Sequence, residues 1–363
     1  MSAVPVIAAG TFYPKSLFVG SVQGVWYDPS DLTTMFEDSA GTTAVHTPGN
    51  GTADSPVGKI LDKSGNGNHA TQATSTSRPT LSARYNQLTG TSTLTTQSVT
   101  TVATTYTLAF SGSGSITLSG TKTGTYTSGT STLTSVTAGT LTLTVSGTVT
   151  NADLRVSNDG VGLPAYQNVT NANTYDSDGF PYYLKSDGVD DTLVTSAIDF
   201  TGTAVMSYFL GVRKLADPTE DAIVAFGTSS SANGFEIAGS SYWSLPKGFG
   251  IQGLGPGYTS GYVNNITAPT SKVCYASMLR GQSTWTATYS MRLNGVAQTL
   301  TASGVALPTG NFANSALYLY RRSSSATLWF NGRTYGIIIR GASSTSTEIS
   351  NAETWMNTKA KIY

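Results

Sequence analysis

The sequence predicts an all-β protein: a jelly-roll β-sandwich, a small β-sandwich nested within it, and one C-terminal helix. Charged residues make up only 11% of the 363 residues, against about 25% in an ordinary soluble domain. Hydroxyl and amide side chains must therefore provide most of the polar surface. Threonine, which is abundant here, is β-branched and favours strands over helices. Short apolar runs also recur at roughly ten-residue spacing between Gly, Asn, Asp and Ser, which is typical of a β-sandwich.

Charge and cysteine content exclude several classes of protein. The formal net charge is +0, so no basic excess can neutralise phosphates, and we expect no nucleic-acid partner. Cys274 is the only cysteine, which excludes an internal disulfide framework and a cysteine-based zinc site. We expect it to be a small buried residue of a strand. Because the sequence has neither a basic segment followed by an apolar one at its start nor a run of about 20 apolar residues, we expect no secretory signal and no membrane insertion.

The opening of the chain divides into an N-terminal arm and the first part of the jelly roll. Residues 1–23 hold apolar pieces that are too short for a domain. They either dock on a neighbouring subunit or form the first strand of the main sheet. In residues 24–86, short apolar runs are separated by Asp, Pro, Gly and Asn, a pattern that predicts strands connected by turns. Within them, Asn66-Gly67 predicts a tight hairpin turn, in which Asp62 and Ser64 bond neighbouring amides.

The composition changes abruptly at residues 87–159, the predicted nested domain. Lys122 is its only charged residue before Asp153, and Ser and Thr dominate the segment. Apolar and hydroxyl residues alternate in Tyr106–Phe110 and in Leu141–Val145, the period-two pattern of half-buried strands. We therefore predict a compact antiparallel sandwich with one dry face and one hydroxyl-covered face. The alternative is a flexible Ser/Thr linker.

Residues 160–363 return to the first composition and predict the second part of the jelly roll, which ends in a helix over 345–361. Thr345 and Glu348 have the spacing of a capping box, in which each side chain bonds the backbone amide of the other residue. Apolar residues then follow at helical spacing. We expect Trp355 to anchor this helix on the sandwich.

Three motifs carry a resemblance to a known family. They are Trp-Tyr-Asp-Pro-Ser-Asp at 26–31, Leu-Asp-Lys-Ser-Gly-Asn-Gly-Asn-His-Ala-Thr at 61–71, and Asp-Gly-Val-Asp-Asp at 187–191. With the C-terminal helix, they resemble laminin-G-like structural proteins of tailed phages, whose fold is a concanavalin A-like jelly roll. The resemblance covers most of residues 24–363.

The resemblance implies a non-enzymatic structural component of the virion exterior, such as a tail fibre, collar or decoration protein. The implied partners are other virion proteins and further copies of this chain, with a homotrimer favoured because phage appendages are usually threefold. The implied location is the virion, after synthesis in the cytoplasm of the bacterial host. The alternative function is a host-surface glycan-binding adhesin or receptor-binding protein.

Catalytic residues are not expected. A glycosidase needs two carboxylates facing the scissile bond, and the chain lacks the Glu-x-Asp-x-Glu run of jelly-roll glucanases. Glu236 alone is predicted to be a rim or salt-bridge residue. The two histidines, His46 and His69, have no Gly-x-Ser-x-Gly nucleophile elbow beside them.

No cofactor is expected, although one acidic cluster provides candidate ligands for Ca²⁺. Asp187, Asp190 and Asp191 are close in sequence, and carboxylate oxygens suit a hard cation. Two of them would alternate across a continuing strand, so a bulge would be needed to bring all three to one ion.

Glycan binding calls for aromatic platforms beside a few placed polar groups. The sequence offers four candidate platforms, Tyr242, Trp243, Tyr258 and Tyr262. The alternative is that these rings belong to the core or to a subunit interface.

Overall fold

A computed structural model shows two compact units. It describes residues 12–46, 48, 54–83, 85–156, 166–167, 182–227, 233–240, 248–255, 259–304, 306–322, 328–360 and 362. The first unit takes residues 1–45, 56–80 and 183–363, and the second takes 46–55 and 81–182. The second unit is therefore inserted into the sequence of the first.

The strands follow one another along the chain in three groups. The first group is β1 (Gly24–Tyr27), β2 (Met35–Phe36), β3 (Ser55–Pro56), β4 (Lys59–Ile60), β5 (Ala70–Thr71), β6 (Thr80–Ala83) and β7 (Tyr85–Asn86). The second is β8 (Gln97–Thr101), β9 (Thr104–Gly120), β10 (Gly124–Val136), β11 (Gly139–Ser146), β12 (Thr150–Val156) and β13 (Tyr166–Gln167). The third is β14 (Tyr182–Asp187), β15 (Leu193–Thr195), β16 (Ile198–Asp199), β17 (Val205–Lys214), β18 (Val224–Phe226), β19 (Phe235–Ala238), β20 (Gly248–Gly253), β21 (Thr259–Asn264), β22 (Thr270–Leu279), β23 (Tyr289–Leu293), β24 (Val296–Ala297), β25 (Thr301–Gly304), β26 (Asn314–Ser315), β27 (Leu317–Leu319) and β28 (Asn331–Arg340).

Helical structure is sparse in the described part of the chain. It consists of a single turn α1 (Trp285–Thr288), the helix α2 (Ser346–Ala360) and short 3₁₀ turns at Pro14–Phe18, Leu32–Thr34 and Ser75–Ser77. None of the described helices combines the length and the apolar composition needed to cross a bilayer.

The first unit is a β-sandwich of two large antiparallel sheets. Its first sheet has the order β24–β23–β22–β17–β28–β14, with β1 also paired to β28, and its second has the order β2–β4–β5–β15–β27–β18–β19–β20–β21–β25. Aromatic rings pack in the space between the sheets: Tyr208 of β17 meets Phe235 of β19 with ring centroids 4.6 Å apart. Phe226 of β18 stacks on Phe235 at 5.4 Å. The predicted all-β sandwich fold is confirmed.

Helix α2 lies on the outer face of the first sheet. Its buried residues Ala352 and Met356 join Phe209 and Ile338 in one apolar cluster. The predicted capping box is confirmed at its start, where the Thr345 amide donates to Glu348 Oε2 at 2.8 Å and the Glu348 amide donates to Thr345 Oγ1 at 3.2 Å. These bonds satisfy amides that lack a partner at any helix start.

The described part of the predicted arm, residues 12–23, packs within the first unit. It forms the 3₁₀ turn Pro14–Phe18 and no strand. Leu17 and Phe18 are buried in the same apolar cluster as Trp26 and helix α2. Residues 1–11 of the arm lie outside the described residues.

The predicted turn at residues 62–68 is built by one carboxylate. Asp62 Oδ1 accepts a hydrogen bond from the Ser64 amide at 2.9 Å, and Ser64 Oγ accepts one from the Asn66 amide at 3.1 Å. The positive φ angles occur at Gly65 (99°) and Gly67 (76°), on either side of Asn66. Within the predicted Asn66-Gly67 turn, Gly67 therefore takes a positive φ and Asn66 does not. Glycine adopts this conformation readily because it carries no Cβ.

The second unit is a small antiparallel β-structure with its own apolar core. Its main sheet has the order β10–β9–β11–β8, and β12 also pairs with β9. Strand β9 changes partners near Gly112, whose φ is 108° and where a side chain would lie 2.2 Å from the Thr148 carbonyl oxygen. The predicted alternation is confirmed: the apolar side chains of β9 are buried, while Ser98 and Thr142 bond each other at 2.9 Å on the hydroxyl-covered face.

Candidate functional site

The structure locates only one of the four predicted sugar platforms. Tyr242, Trp243 and Tyr258 lie outside the described residues. Tyr262 lies in β21 with 4% of its surface exposed, so its ring offers no open face to a ligand. Burial of Tyr262 favours the alternative given with the prediction, in which this ring belongs to the core.

The three aspartates of the candidate cation cluster converge. One carboxylate oxygen from each of Asp187, Asp190 and Asp191 lies within 4.8 Å of the others. Strand β14 ends at Asp187, and Gly188 turns the chain with a φ of 79°. Asp190 and Asp191 therefore lie in a turn, and no bulge is needed to bring the three together. The expectation that strand alternation separates them was wrong for this reason.

Hydrogen bonds and charge define the state of this acidic cluster. Asp191 Oδ2 accepts a bond from the Asp187 amide at 3.0 Å, and Asp190 Oδ2 accepts one from Ser77 Oγ at 2.8 Å. Burial, with the neighbouring charges of Asp187 and Asp190, raises the pKa of Asp191 to about 7. Carboxylates grouped in this way could hold a hard cation such as Ca²⁺.

Glu236 forms the salt bridge that the sequence suggested, but in a buried position. The Arg322 Nε and one terminal nitrogen donate to its two carboxylate oxygens at 2.6 and 2.9 Å. Arg322 also donates to Gln252 Oε1 at 3.3 Å. A carboxylate fully engaged by a bidentate arginine is a structural group.

Two other chemically suggestive side chains also have structural roles. His69 Nδ1 accepts a hydrogen bond from the Asp62 amide at 3.0 Å, which ties it to the turn described above. Cys274 is buried in β22, and burial raises the pKa of its thiol to about 12. A thiol held in its protonated form is a poor nucleophile.

A pocket that no sequence pattern predicted lies beside β23, which is next to the edge strand β24 of the first sheet. Its volume is about 520 Å³, within the range of about 300–1,000 Å³ of small-molecule sites. Its aromatic walls are Tyr275, Trp285 and Tyr289, and its polar groups are Thr286, Ser290, Arg292, Gln298 and Thr299. Met291, Leu300, Ile349, Ala297 and Ala302 complete the lining. We refer to it as the Trp285 pocket.

The rings of Trp285 and Tyr289 form an aromatic corner of the Trp285 pocket, and hydrogen bonds from Tyr289 to Thr259 hold it in place. Trp285 and Tyr289 have ring centroids 5.3 Å apart and planes inclined by 46°, so they form a corner instead of a flat platform. The buried Tyr289 hydroxyl donates to the Thr259 carbonyl at 3.0 Å and lies 2.7 Å from Thr259 Oγ1. Trp285 itself is half-buried, which leaves part of its ring open to a ligand.

The polar rim of the pocket is fixed by neighbouring strands and by helix α2. The backbone amide of Gln298 donates to the Met291 carbonyl at 2.9 Å, and its side-chain amide donates to the Val296 carbonyl at 2.8 Å. Arg292 Nε donates to Glu353 Oε1 of helix α2 at 2.9 Å, and its terminal nitrogen donates to Glu353 Oε2 at 3.1 Å. The pocket thus has one charged lining side chain, and that charge is compensated.

Little in the sequence indicates this pocket. Trp285 stands in a run of Ser and Thr between two strands and belongs to no periodic pattern. The lining comes from β22, α1, β23, the segment 297–302 and helix α2, which only the tertiary fold brings together. An isolated tryptophan in a polar stretch was the one signal available.

No family model and no curated protein matches the sequence. Among solved structures, a GH54 α-L-arabinofuranosidase soaked with a cyclic sulfate inhibitor is similar at 12% identity and a TM-score of 0.45, over 97% of this chain and 66% of that one. Domain 4 of AbnA, a GH43 extracellular arabinanase from Geobacillus stearothermophilus in complex with arabinotriose, is similar at 13% identity and a TM-score of 0.36, over 48% of this chain and 76% of that one. The binding domain of Paraclostridial Mosquitocidal Protein 1 is similar at 10% identity and a TM-score of 0.34, over 50% of this chain and 44% of that one. Similarity at this level says nothing about what the present chain binds.

Proposed function

We propose that this protein is a non-catalytic component of a virion exterior that binds host-surface glycan through the Trp285 pocket. The observation that supports glycan binding is a half-buried tryptophan at a cavity that also contains hydroxyl and amide side chains. A sugar ring has an apolar C–H face that packs on an aromatic ring, and hydroxyls that need placed donors and acceptors. The pocket offers both kinds of group.

The rigidity of the aromatic corner favours binding. Tyr289 is buried and bonded to Thr259, and the turn that carries Trp285 is closed by the bond from the Thr288 amide to the Thr284 carbonyl at 3.2 Å. A site that is already ordered loses less conformational entropy when a ligand binds.

The composition of the pocket lining supports binding without cleavage. Hydrolysis of a glycoside uses a carboxylic acid and a carboxylate on either side of the scissile bond. The described residues that line this pocket include no carboxylate and no histidine. They can position a sugar, but they supply no acid–base pair.

The virion setting is the part of the proposal that rests on the sequence motifs at 26–31, 61–71 and 187–191. Assembly as a homotrimer beside other virion proteins fits this setting. Three copies of the Trp285 pocket on one particle would raise the overall avidity well above that of one pocket, because the second and third contacts become intramolecular.

A glycan array probed with the full chain tests glycan binding. The matched variants are Trp285→Ala, which removes the exposed ring, and Trp329→Ala, which removes a half-buried tryptophan that does not line the pocket. We expect a glycan class to bind the wild-type protein and the Trp329 variant, and the Trp285 variant to bind roughly tenfold more weakly, equivalent to about 1.4 kcal/mol. Equal binding by all three proteins would rule out the Trp285 pocket.

A further inference from the structure

We infer that the Trp285 pocket accepts an uncharged sugar ring and discriminates against sugars that carry a carboxylate. This inference rests on the proposed glycan binding and adds the chemical class of the ligand. It is carried by the pairing of Arg292 with Glu353 across strand β23 and helix α2.

Arg292 is the only charged side chain among the described residues that line the pocket. By itself, an arginine at a sugar site is a bidentate partner for the carboxylate of a uronic or sialic acid. Here Glu353 already occupies two of its nitrogens, at 2.9 and 3.1 Å. The Gly295 carbonyl accepts a further bond from the same terminal nitrogen of Arg292.

Glu353 cannot easily release Arg292 to a ligand. Its side chain is 3% exposed, whereas that of Arg292 is 33% exposed. If an anionic sugar drew Arg292 away, Glu353 would be left as a buried carboxylate without its bidentate partner, and an uncompensated buried charge is strongly unfavourable. An anionic sugar would also approach the buried negative charge of Glu353.

The remaining groups suit a neutral ring. Ser290, Gln298, Thr299 and Thr286 provide hydroxyl and amide groups without formal charge. Of the two inclined rings, Tyr289 is 4% exposed and Trp285 is half-buried. Trp285 is therefore the ring that is open to a ligand, and one such ring fits the C–H face of one terminal sugar better than a long flat chain. A neutral terminal pyranose therefore satisfies the pocket without disturbing the Arg292–Glu353 pair.

The test uses matched sugar pairs that differ only in having CH₂OH or COO⁻ at the same carbon, namely the methyl glycosides of glucose and glucuronate and those of galactose and galacturonate. Calorimetric titration of the full chain at neutral pH should give at least one neutral member that binds roughly tenfold more tightly than its acid. In Glu353→Gln, which keeps the shape of the side chain and removes its charge, we expect this ratio to fall towards one because the acid gains affinity. Equal or tighter binding of the acids by the wild-type protein would overturn the inference.

A second measurement needs no variant, in case Glu353→Gln fails to fold. If Arg292 were free to bind a carboxylate, the acid glycosides would bind and would lose affinity between about 0.05 and 0.5 M salt, because charge attraction is screened over that range. We expect no such salt-dependent binding of the acids, and observing it would overturn the inference while leaving glycan binding in place. If no sugar on the array or in the titrations binds, the proposed function fails and this inference fails with it.

Discussion

Trp26 of β1 and Trp355 of helix α2 meet edge to face, with ring centroids 5.7 Å apart and ring planes at 80°. The ring centroid of Tyr13 lies 4.9 Å from that of Trp26, and the ammonium group of Lys63 lies 4.6 Å from the Trp26 ring centroid. Four segments of the chain, namely the arm, β1, the turn at 62–68 and helix α2, therefore meet in one aromatic cluster on the outer face of the first sheet.

Removing Trp355 should loosen helix α2. We expect Trp355→Ala to lower the free energy of unfolding by about 2–4 kcal/mol, because it leaves a cavity against Trp26. Urea denaturation followed by far-UV circular dichroism measures the change. Asn351→Ala, an exposed position on the same helix, is the control and should change stability by less than about 0.5 kcal/mol. Equal effects of the two substitutions would contradict the anchoring role of Trp355.

The close approach of helix α2 to the sheet depends on glycine. Gly211 and Gly336 are register partners on β17 and β28, and a Cβ at either would lie 2.9 or 2.8 Å from Met356 Sδ. We expect Gly336→Ala to cost about 1–3 kcal/mol through overpacking. Combining it with Met356→Ala should cost less than the sum of the two single changes, since the second substitution removes the obstructing sulfur. Strict additivity in urea denaturation would argue against this contact.

Asp191 should make stability depend on pH between mildly acidic and neutral conditions. Its pKa is raised from 3.8 to about 7, so the folded state binds this proton more tightly than the unfolded state does. Its contribution to stability is then fully present below about pH 4 and is lost as the pH rises through 7. Asp191→Asn cannot ionise. We therefore expect its free energy of unfolding, relative to that of the wild-type protein, to be higher at pH 8 than at pH 5.

The measurement is urea denaturation of the wild-type protein and of Asp191→Asn over a series of pH values. The difference between their free energies of unfolding at each pH gives the contribution of Asp191. Adding Ca²⁺ to the wild-type protein tests the cluster further. A bound cation favours the ionised form, so it would remove the excess loss of stability at high pH. A difference between the proteins that does not vary with pH would contradict the raised pKa.

Tyr289 should support the pocket through its ring and support the fold through its hydroxyl group. In Tyr289→Phe the ring beside Trp285 remains, while the bonds to Thr259 are lost. We expect a loss of about 1 kcal/mol in stability and a change in glycan affinity of less than about threefold. A loss of affinity as large as that of Trp285→Ala would mean that the ring alone is not sufficient and that the bonds to Thr259 are needed to hold the aromatic corner in place.

The elements that sequence reasoning anticipated are those governed by local chemistry. The period-two alternation of Tyr106–Phe110 needs only the geometry of a strand, and the capping box of Thr345 and Glu348 needs only one helical turn. Asp62 likewise bonds amides within a few residues of itself. Such patterns are complete within a short window of sequence.

The candidate site could not be anticipated in the same way. Tyr262 and Trp285 are both aromatic residues in polar surroundings in the sequence, but one is buried in a strand and the other opens onto a cavity. Which of them is covered depends on the stacking of sheets and on helix α2, which contributes Ile349 to the lining. The three aspartates converge because of the positive φ of Gly188, a turn that the alternation argument did not include.

The position of β28 has a consequence for how the protein forms during synthesis. This strand lies between β17 on one side and β14 and β1 on the other, so the first sheet lacks its middle strand until translation has reached Arg340. The strands β8–β12 are consecutive in sequence and pair among themselves, so their contacts can form as soon as that stretch emerges. The inserted unit can therefore fold while the first sheet is still incomplete, and β1 lacks its pairing partner until roughly 300 further residues have been made.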